Sequence, residues 1–313
     1  MNVYVYCQDS DIPTGGVYVL YKLVDTLNRM GLQAYMVHDS EGFRCTWFDN
    51  STPVVTNASI TPDSSDLWVI PEIYMWRIGD FAPGCRKVVF NQNCYLTFQG
   101  FPLTGGAAPD PYRHPDVAGV MVVSEDSRRY LDYAFPGLKI HRLHYEIDQS
   151  LFPYHPDKKR WISFMPRKNR EDAVQVVNML RARGSLESFD VVPIEGKSLA
   201  EVGAILRETL IFLSFGYPEG LGLPPAEAMS CGCVAIGYHG MGGREYFNNA
   251  FSYPVEQGDI VAYVQVVEKV LEDYRRDPEL LVERGRMAAA FVSERFSREA
   301  WERDVRGFFS EIL

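Results

Sequence analysis

The 313-residue sequence has no excess of basic residues: 31 Lys and Arg against 41 Asp and Glu leave a net charge of −10. That balance argues against a sequence-independent grip on nucleic-acid phosphates. It also advertises no basic surface for an anionic membrane, although a local patch can sit within an acidic total. Long apolar runs are missing, and the stretch 210–215 is far too short to span a bilayer. The opening MNVYVYCQDSD has neither a basic region nor an extended apolar segment, so no secretory leader is expected there. Cysteines are few and scattered (Cys7, Cys45, Cys85, Cys94, Cys231, Cys233). A chain of this size needs no disulfide staples, so reduced, buried thiols in a cytoplasmic protein are expected. Cys231 and Cys233 are separated by one residue, with no second pair or nearby His cluster to complete a zinc site. Packing at a helix-to-strand turn is the expectation for both. No fixed-period repeat is present.

What the sequence does have is alternation. Short β-rich apolar runs at 3–7, 34–37, 67–70, 87–90 and 119–123 are separated by helical patterns, which argues for a parallel α/β architecture. In the first unit Val17, Leu20, Tyr21, Val24 and Leu27 fall at helical spacing, and Gly31 is the stop. Ser124 reads as the cap of a helix beginning at Glu125. A second series begins near Arg160, with strands at 161–164, 189–192, 210–214 and 234–236. Ala173, Val176, Val177 and Leu180 make a helical stripe, and Ser198 with Glu201 has capping-box spacing. A helix is expected near 243–247, and three long helices run to the end. The length favours two domains, and residues 144–157, with Pro153 and Pro156, are the best linker. Residues 97–116 lack periodicity and are rich in Gly, Pro and aromatics, reading as a mobile loop that faces a substrate.

The stretch 214–246, SFGYPEGLGLPPAEAMSCGCVAIGYHGMGGREY, concentrates the chemistry. A strand ends at Ser214, glycines follow at 216, 220 and 222, and Pro224-Pro225 open a helix. Glycines let main-chain N–H groups approach a ligand, and a helix N-terminus adds positive dipole. Together they suit a diphosphate at the carboxyl end of a parallel strand. Two carboxylates bracket the loop. Glu227, expected in the first helical turn, suits the vicinal hydroxyls of a ribose, while Glu219 lies on the loop itself.

Glu219 and Glu227, seven residues between them within PEGLGLPPAEAMSCG, closely resemble the donor-binding signature of retaining GT-B glycosyltransferases of family 4, the glycosyl transferases group 1. Gly15-Gly16 before a long helix resembles that family's N-terminal glycine loop, and GMGGREY at 240–246 is similar to its loop-helix after the next strand. The resemblance implies an α/β protein of two Rossmann-like domains with a cleft between them. Residues 1–143 would form the acceptor-side domain and 144–296 the nucleotide-sugar-binding domain. A C-terminal helix in 297–313 would cross back to the first. Carried over, Glu227 would bind the donor ribose, Glu219 the sugar hydroxyls, and the main chain of Gly220, Leu221 and Gly222 the phosphates and sugar. The family's separated Arg and Lys are replaced here by SFMPRKNRED, which offers Arg167, Lys168 and Arg170 to the diphosphate. Where many members carry a His after a middle strand, this sequence has Asn91-Gln92-Asn93.

The implied function is retaining, metal-independent transfer of a sugar from a nucleotide-sugar donor to a saccharide, lipid-linked or small-molecule acceptor, in cell-surface polysaccharide or glycoconjugate synthesis. Catalysis would fall to Glu219, Arg167 and Lys168, with no cofactor beyond the donor substrate, no nucleic acid, and peripheral membrane contact allowed at an inner membrane face. Competing readings are a sugar-nucleotide epimerase or hydrolase on the same plan, and a non-catalytic nucleotide-sugar-binding partner. Asp9 and Asp11 have the spacing of a divalent-cation pair but are expected to shape a turn. The histidines His114, His141, His144 and His239 are expected to be structural, His239 being the first to test.

Overall fold

The computed structural model describes residues 1–105 and 110–313. The chain divides into two compact units, Met1–Tyr145 together with Glu299–Leu313, and Glu146–Arg298. Part of the proposed substrate loop, residues 106–109, lies outside the described residues. On its far side Tyr112 is buried, its hydroxyl 2.7 Å from Asn91 Nδ2.

In the first unit the chain forms β1 (Val3–Tyr6), α1 (Gly15–Arg29), β2 (Ala34–His38), β3 (Val54–Thr56), β4 (Leu67–Pro71), β5 (Arg86–Asn91), β6 (Val117–Val122), α2 (Glu125–Ala134) and β7 (Ile140–Arg142). The described strands are all parallel, in the order β3-β2-β1-β4-β5-β6-β7. Central strands of such a sheet are covered on both faces and read as continuous apolar runs. The LWVIP of β4 is accordingly buried at every position. The helical stripe of α1 is buried throughout, and Gly31 follows at φ 87°, the left-handed stop that glycine adopts without penalty. Ser124 caps α2 by accepting from Ser127 N at 3.0 Å.

The second unit contains β8 (Lys159–Phe164), α3 (Arg170–Ala182), β9 (Asp190–Pro193), α4 (Leu199–Glu208), β10 (Thr209–Phe215), α5 (Leu223–Ser230), β11 (Val234–Tyr238), β12 (Tyr253–Pro254), α6 (Ile260–Arg276) and α7 (Pro278–Arg295). Its sheet is again parallel, in the order β12-β11-β10-β8-β9. Ser198 and Glu201 close a reciprocal capping box at the start of α4. The expected helix near 243–247 is a single 3-10 turn, Gly242–Glu245.

The last helix, α8 (Arg298–Ile312), belongs to the first unit. Trp301 is fully buried and donates its indole N–H to Thr26 at 2.9 Å. Phe308 packs over Gly119 of β6, where a Cβ would come within 2.8 Å of the ring. Asp304 accepts from the His144 backbone N–H at 2.9 Å and contacts its ring nitrogen at 2.7 Å.

Both strand orders contain a reversal, at β1/β4 in the first unit and at β8/β10 in the second. Ligands of open α/β sheets bind outside the carboxyl ends of the strands at such a switch point. The loops that follow β8 and β10 carry the second unit's candidate residues.

Candidate active site

Beneath the site lies a buried aromatic cluster. Phe215, the last residue of β10, stacks on Tyr263 of α6 with ring centroids 5.0 Å apart, and Tyr238 meets Tyr263 edge-on. The Tyr263 hydroxyl reaches the carbonyls of Ile236 at 2.9 Å and Ser214 at 3.1 Å. This approach requires glycine at 237 (φ 121°), because a Cβ there would sit 2.2 Å from the hydroxyl. Rings of this size, with a polar tip satisfied, fix the strand ends from which the loops spring.

Two loops then lace together. Glu219 N donates to Gly240 O at 3.0 Å, and Gly242 N lies 3.3 Å from Glu219 O. The backbones are so close that a Cβ on Gly242 would fall 2.0 Å from Gly220 O. Between them Met241 has φ 68° and ψ −66°, and Gly242 N donates to Gly240 O at 2.9 Å. This is a positive-φ γ-turn, a rare and strained conformation for a residue with a side chain. His239 helps hold it, its Nδ1 accepting the Met241 N–H at 3.0 Å.

Gly222 (φ 82°, ψ 81°) is the N-cap of α5. The helix starts one residue earlier than the prolines suggest, at Leu223, so Pro224 and Pro225 occupy its second and third positions. Two of the four free N–H groups of a helix start are thereby absent. Backbone donors must come from Gly220, Leu221, Gly222 and Leu223 instead. Tyr246, fully buried, sets their direction from beneath: its hydroxyl is 2.5 Å from Gly222 O and 3.1 Å from Leu221 O. Burial holds its phenol well above the usual tyrosine range, so at neutral pH it remains a donor.

The earlier helix start corrects the expectation for Glu227. It is the fifth residue of α5, beyond the first turn, where the dipole has largely faded. Its side chain is buried, with 9% of the residue exposed. Glu219 is paired with Lys168 from the loop after β8. That loop is locked by Asn169, left-handed at φ 36°, whose amide donates to Gly216 O at 3.0 Å and Phe215 O at 3.2 Å. Among the three basic candidates, the structure brings Lys168 to Glu219. Arg170 instead pairs with Glu195 at 2.6 Å, in an exposed contact of the kind worth little in stability. Arg167 is exposed.

In the first unit Gly15 and Gly16 form the first turn of α1, whose N-cap Thr14 makes no side-chain cap bond. Asn91 ends β5, with Gln92 and Asn93 directly after it; each amide makes at least one hydrogen bond, while the buried Oδ1 of Asn91 has no partner among the described residues. Asn91 Nδ2 donates to Thr97 Oγ1 at 2.9 Å and Tyr112 at 2.7 Å, and Asn93 Oδ1 accepts from Tyr95 N at 3.2 Å. Gln92 Nε2 donates to Gly16 O at 3.2 Å, and its Oε1 accepts from the Tyr145 hydroxyl at 2.6 Å. Glu72, buried directly after β4, accepts from Gln92 N at 2.9 Å. Burial pushes its carboxyl up to about 7, against the lowering pull of backbone N–H groups. Asp9 ties the ends of two strands together, accepting from Ser40 N at 2.6 Å and Asp39 N at 3.1 Å. Asp11 accepts from the backbone and hydroxyl of Thr46 at 2.7 and 2.5 Å. Both aspartates therefore brace one loop against another 30–35 residues away, rather than shaping the local turn expected of them. His38, passed over in the sequence, is fully buried between Asp9 and Tyr21. Glu72, Asn169 and Tyr246 were also missed as site-building residues; only Tyr246 carried a signal, as the end of GMGGREY.

Residues 190–287, all within the second unit, match the family model of glycosyl transferases group 1. An alpha-1,6-glucosyltransferase of Actinobacillus pleuropneumoniae serotype 7 (strain AP76) is 25% identical, covering 100% of this chain and 96% of the relative. Among solved structures, sucrose-phosphate synthase from Thermosynechococcus elongatus superposes with a TM-score of 0.71 at 13% identity, covering 99% of this chain and 98% of its own. Anabaena Alr3699/HepE in complex with UDP-glucose gives a TM-score of 0.69 at 12% identity, covering 99% and 100%. The chain is a glycosyltransferase with the two Rossmann-like domains of the GT-B fold.

Proposed function

We propose that this protein is a retaining glycosyltransferase that moves a hexose from a uridine diphosphate sugar to a saccharide acceptor without a metal. The observation that carries the reading is the pairing of Lys168 with Glu219 beside the glycine-rich main chain of 220–222 at the second unit's switch point, with Glu227 on the helix that follows. The names of similar proteins support the choice of donor, one being a glucosyltransferase and another holding UDP-glucose.

In this reading Glu227 accepts the ribose hydroxyls and Glu219 accepts those of the sugar. As the bond from C1 to the diphosphate oxygen breaks, negative charge grows on the leaving group. Lys168 and Arg167, with the N–H groups of the 220–222 loop, meet that charge. Lys168 is paired with Glu219, so a diphosphate held by Lys168 would share or replace this partner. The acceptor hydroxyl then forms its bond to C1 on the face the diphosphate leaves, and its proton passes to the departing phosphate oxygen. Arg170 would join the phosphates only by releasing Glu195. In the first unit Gly15 and Gly16 offer main-chain groups to substrate. The product class is a cell-surface polysaccharide or glycoconjugate, made in the cytoplasm or at the inner face of its membrane. Among the described residues no helix is long and apolar enough to cross a membrane.

The test is sugar transfer and donor hydrolysis by the purified protein with a panel of nucleotide sugars, with and without EDTA. Turnover of a UDP-hexose in EDTA, with the anomeric configuration kept, is expected. Binding without turnover for every donor would leave only a nucleotide-sugar-binding partner, and loss of activity in EDTA would refute the metal-free step.

A further inference from the structure

The carboxyl ends of three adjacent strands of the first unit, β1, β4 and β5, meet at its own switch point. One residue follows each of β4 and β5 directly, Glu72 and Gln92, and Gly16 is the second residue of the helix after β1. These three residues are joined in series. Glu72 accepts the Gln92 backbone N–H at 2.9 Å, and the Gln92 carboxamide donates to Gly16 O at 3.2 Å. Its other end is fixed by the Tyr145 hydroxyl at 2.6 Å. Tyr145 is itself buried against Phe90 and against Trp301 of α8, with centroids 6.4 and 6.1 Å away. Both functional ends of Gln92 are therefore committed to protein partners. Gly16 lies close under this amide, where a Cβ would touch three Gln92 side-chain atoms at 3.6–3.7 Å.

A carboxylate with 4% exposure is costly to bury. Glutamine could fill the same space but carries an NH2 in place of one acceptor oxygen. The Gln92 backbone N–H donates to the Glu72 carboxyl at 2.9 Å, and a carboxylate offers such a donor an acceptor on either oxygen. The arrangement therefore specifies the path of the β5 turn and, through the amide, the orientation of the peptide after Gly16.

We propose that Glu72 and Gln92 are positioning residues that preset the Gly15-Gly16 loop for the transfer step, Glu72 acting through Gln92. This rests on the reading that the glycine loop faces substrate. It places the first unit's contribution to the reaction in the main chain, set from behind by a side-chain strap, rather than in the Gln92 side chain itself.

Gln92→Glu and Gln92→Met test the strap, and Glu72→Gln tests its anchor. Gln92→Glu keeps the shape and the acceptor for Tyr145 but sets a carboxylate oxygen against Gly16 O. Each variant would be compared with the full-length parent for kcat, donor KM, UDP dissociation constant and Tm. A displaced loop is expected to lower kcat roughly 10- to 100-fold. UDP affinity, assigned to the second unit, should stay within about twofold, which also reports that the variants fold. Parent-like kcat in both Gln92 variants would overturn the proposal while leaving the glycosyltransferase reading intact. Equal loss of UDP affinity and kcat would also overturn it, as the mark of general unfolding. A parent chain that binds UDP but turns over no donor would overturn the reading and the proposal together.

Discussion

Replacing Tyr246 by Phe removes one oxygen and leaves the ring in place, so its effect isolates the hydroxyl that pins the donor loop. The oxygen lies 2.5 Å from Gly222 O and 3.1 Å from Leu221 O, and the residue has no exposed surface. One hydrogen serves chiefly the nearer carbonyl, so a single strong bond is lost and no cavity opens. Leaving a buried carbonyl without its donor costs about 1–3 kcal/mol. For a domain of ~150 residues each kilocalorie is worth about 2–4 °C in Tm, so a fall of roughly 2–12 °C is expected by calorimetry. The same carbonyls belong to peptides whose N–H groups are assigned to the donor phosphates. If the whole cost falls on the ordered loop, UDP affinity drops by about 5- to 150-fold. A UDP titration by isothermal calorimetry at 25 °C, well below the variant's Tm, measures this directly. An unchanged Tm together with an unchanged dissociation constant would refute the role of Tyr246 as the pin.

Other consequences can be checked separately. Lys168→Ala should weaken UDP binding roughly 10- to 100-fold, the value of a charge-assisted hydrogen bond. Its Tm should move by no more than about 2 °C, because the pair with Glu219 leaves the Lys168 side chain 40% exposed; a large Tm loss with intact binding would contradict the assignment. Gly242→Ala should abolish soluble folded protein or donor binding, since its Cβ would meet Gly220 O at 2.0 Å; a parent-like variant by circular dichroism and titration would refute the close approach. Burial alone would raise the Asp304 carboxyl, but hydrogen bonds from the His144 ring and backbone hold it below its ordinary 3.8. A depressed carboxylate contributes stability that is present above 3.8 and lost as pH falls through the folded value. Asp304→Asn should therefore lower Tm at pH 7 and flatten its decline below about pH 4; an unchanged acid limb would count against a stabilising role for the Asp304–His144 contacts.

The parallel strands were legible because strands covered on both faces must be apolar over their whole length, as in LWVIP and TLIFLSF. Caps with local geometry, Ser124 and Ser198 with Glu201, were legible for the same reason that they work: their partners lie three residues away. Edge strands β3, β7 and β12 have two or three residues each, too few to show a period. The start of α5 was misplaced by one residue because Gly222 can cap it from a left-handed conformation. That single residue moved Glu227 out of the first turn. The candidate loop itself was legible from its glycines and carboxylates, but its partners were not. Lys168 reaches Glu219 across 51 residues, and Gln92 reaches Gly16 across 76. Such pairings are set by which strands lie side by side at a switch point, information that no local window contains.

The central claim is that the loop bearing Glu219 and Glu227 binds the nucleotide sugar. Its most direct test is a paired titration of the parent chain and Glu227→Ala with UDP and a UDP-hexose, followed by thermal shift in EDTA. The account predicts saturable stabilisation of the parent by both ligands and loss of that response in a variant that remains folded. Equal stabilisation of parent and variant, or no response of the parent to any nucleoside diphosphate, would contradict it.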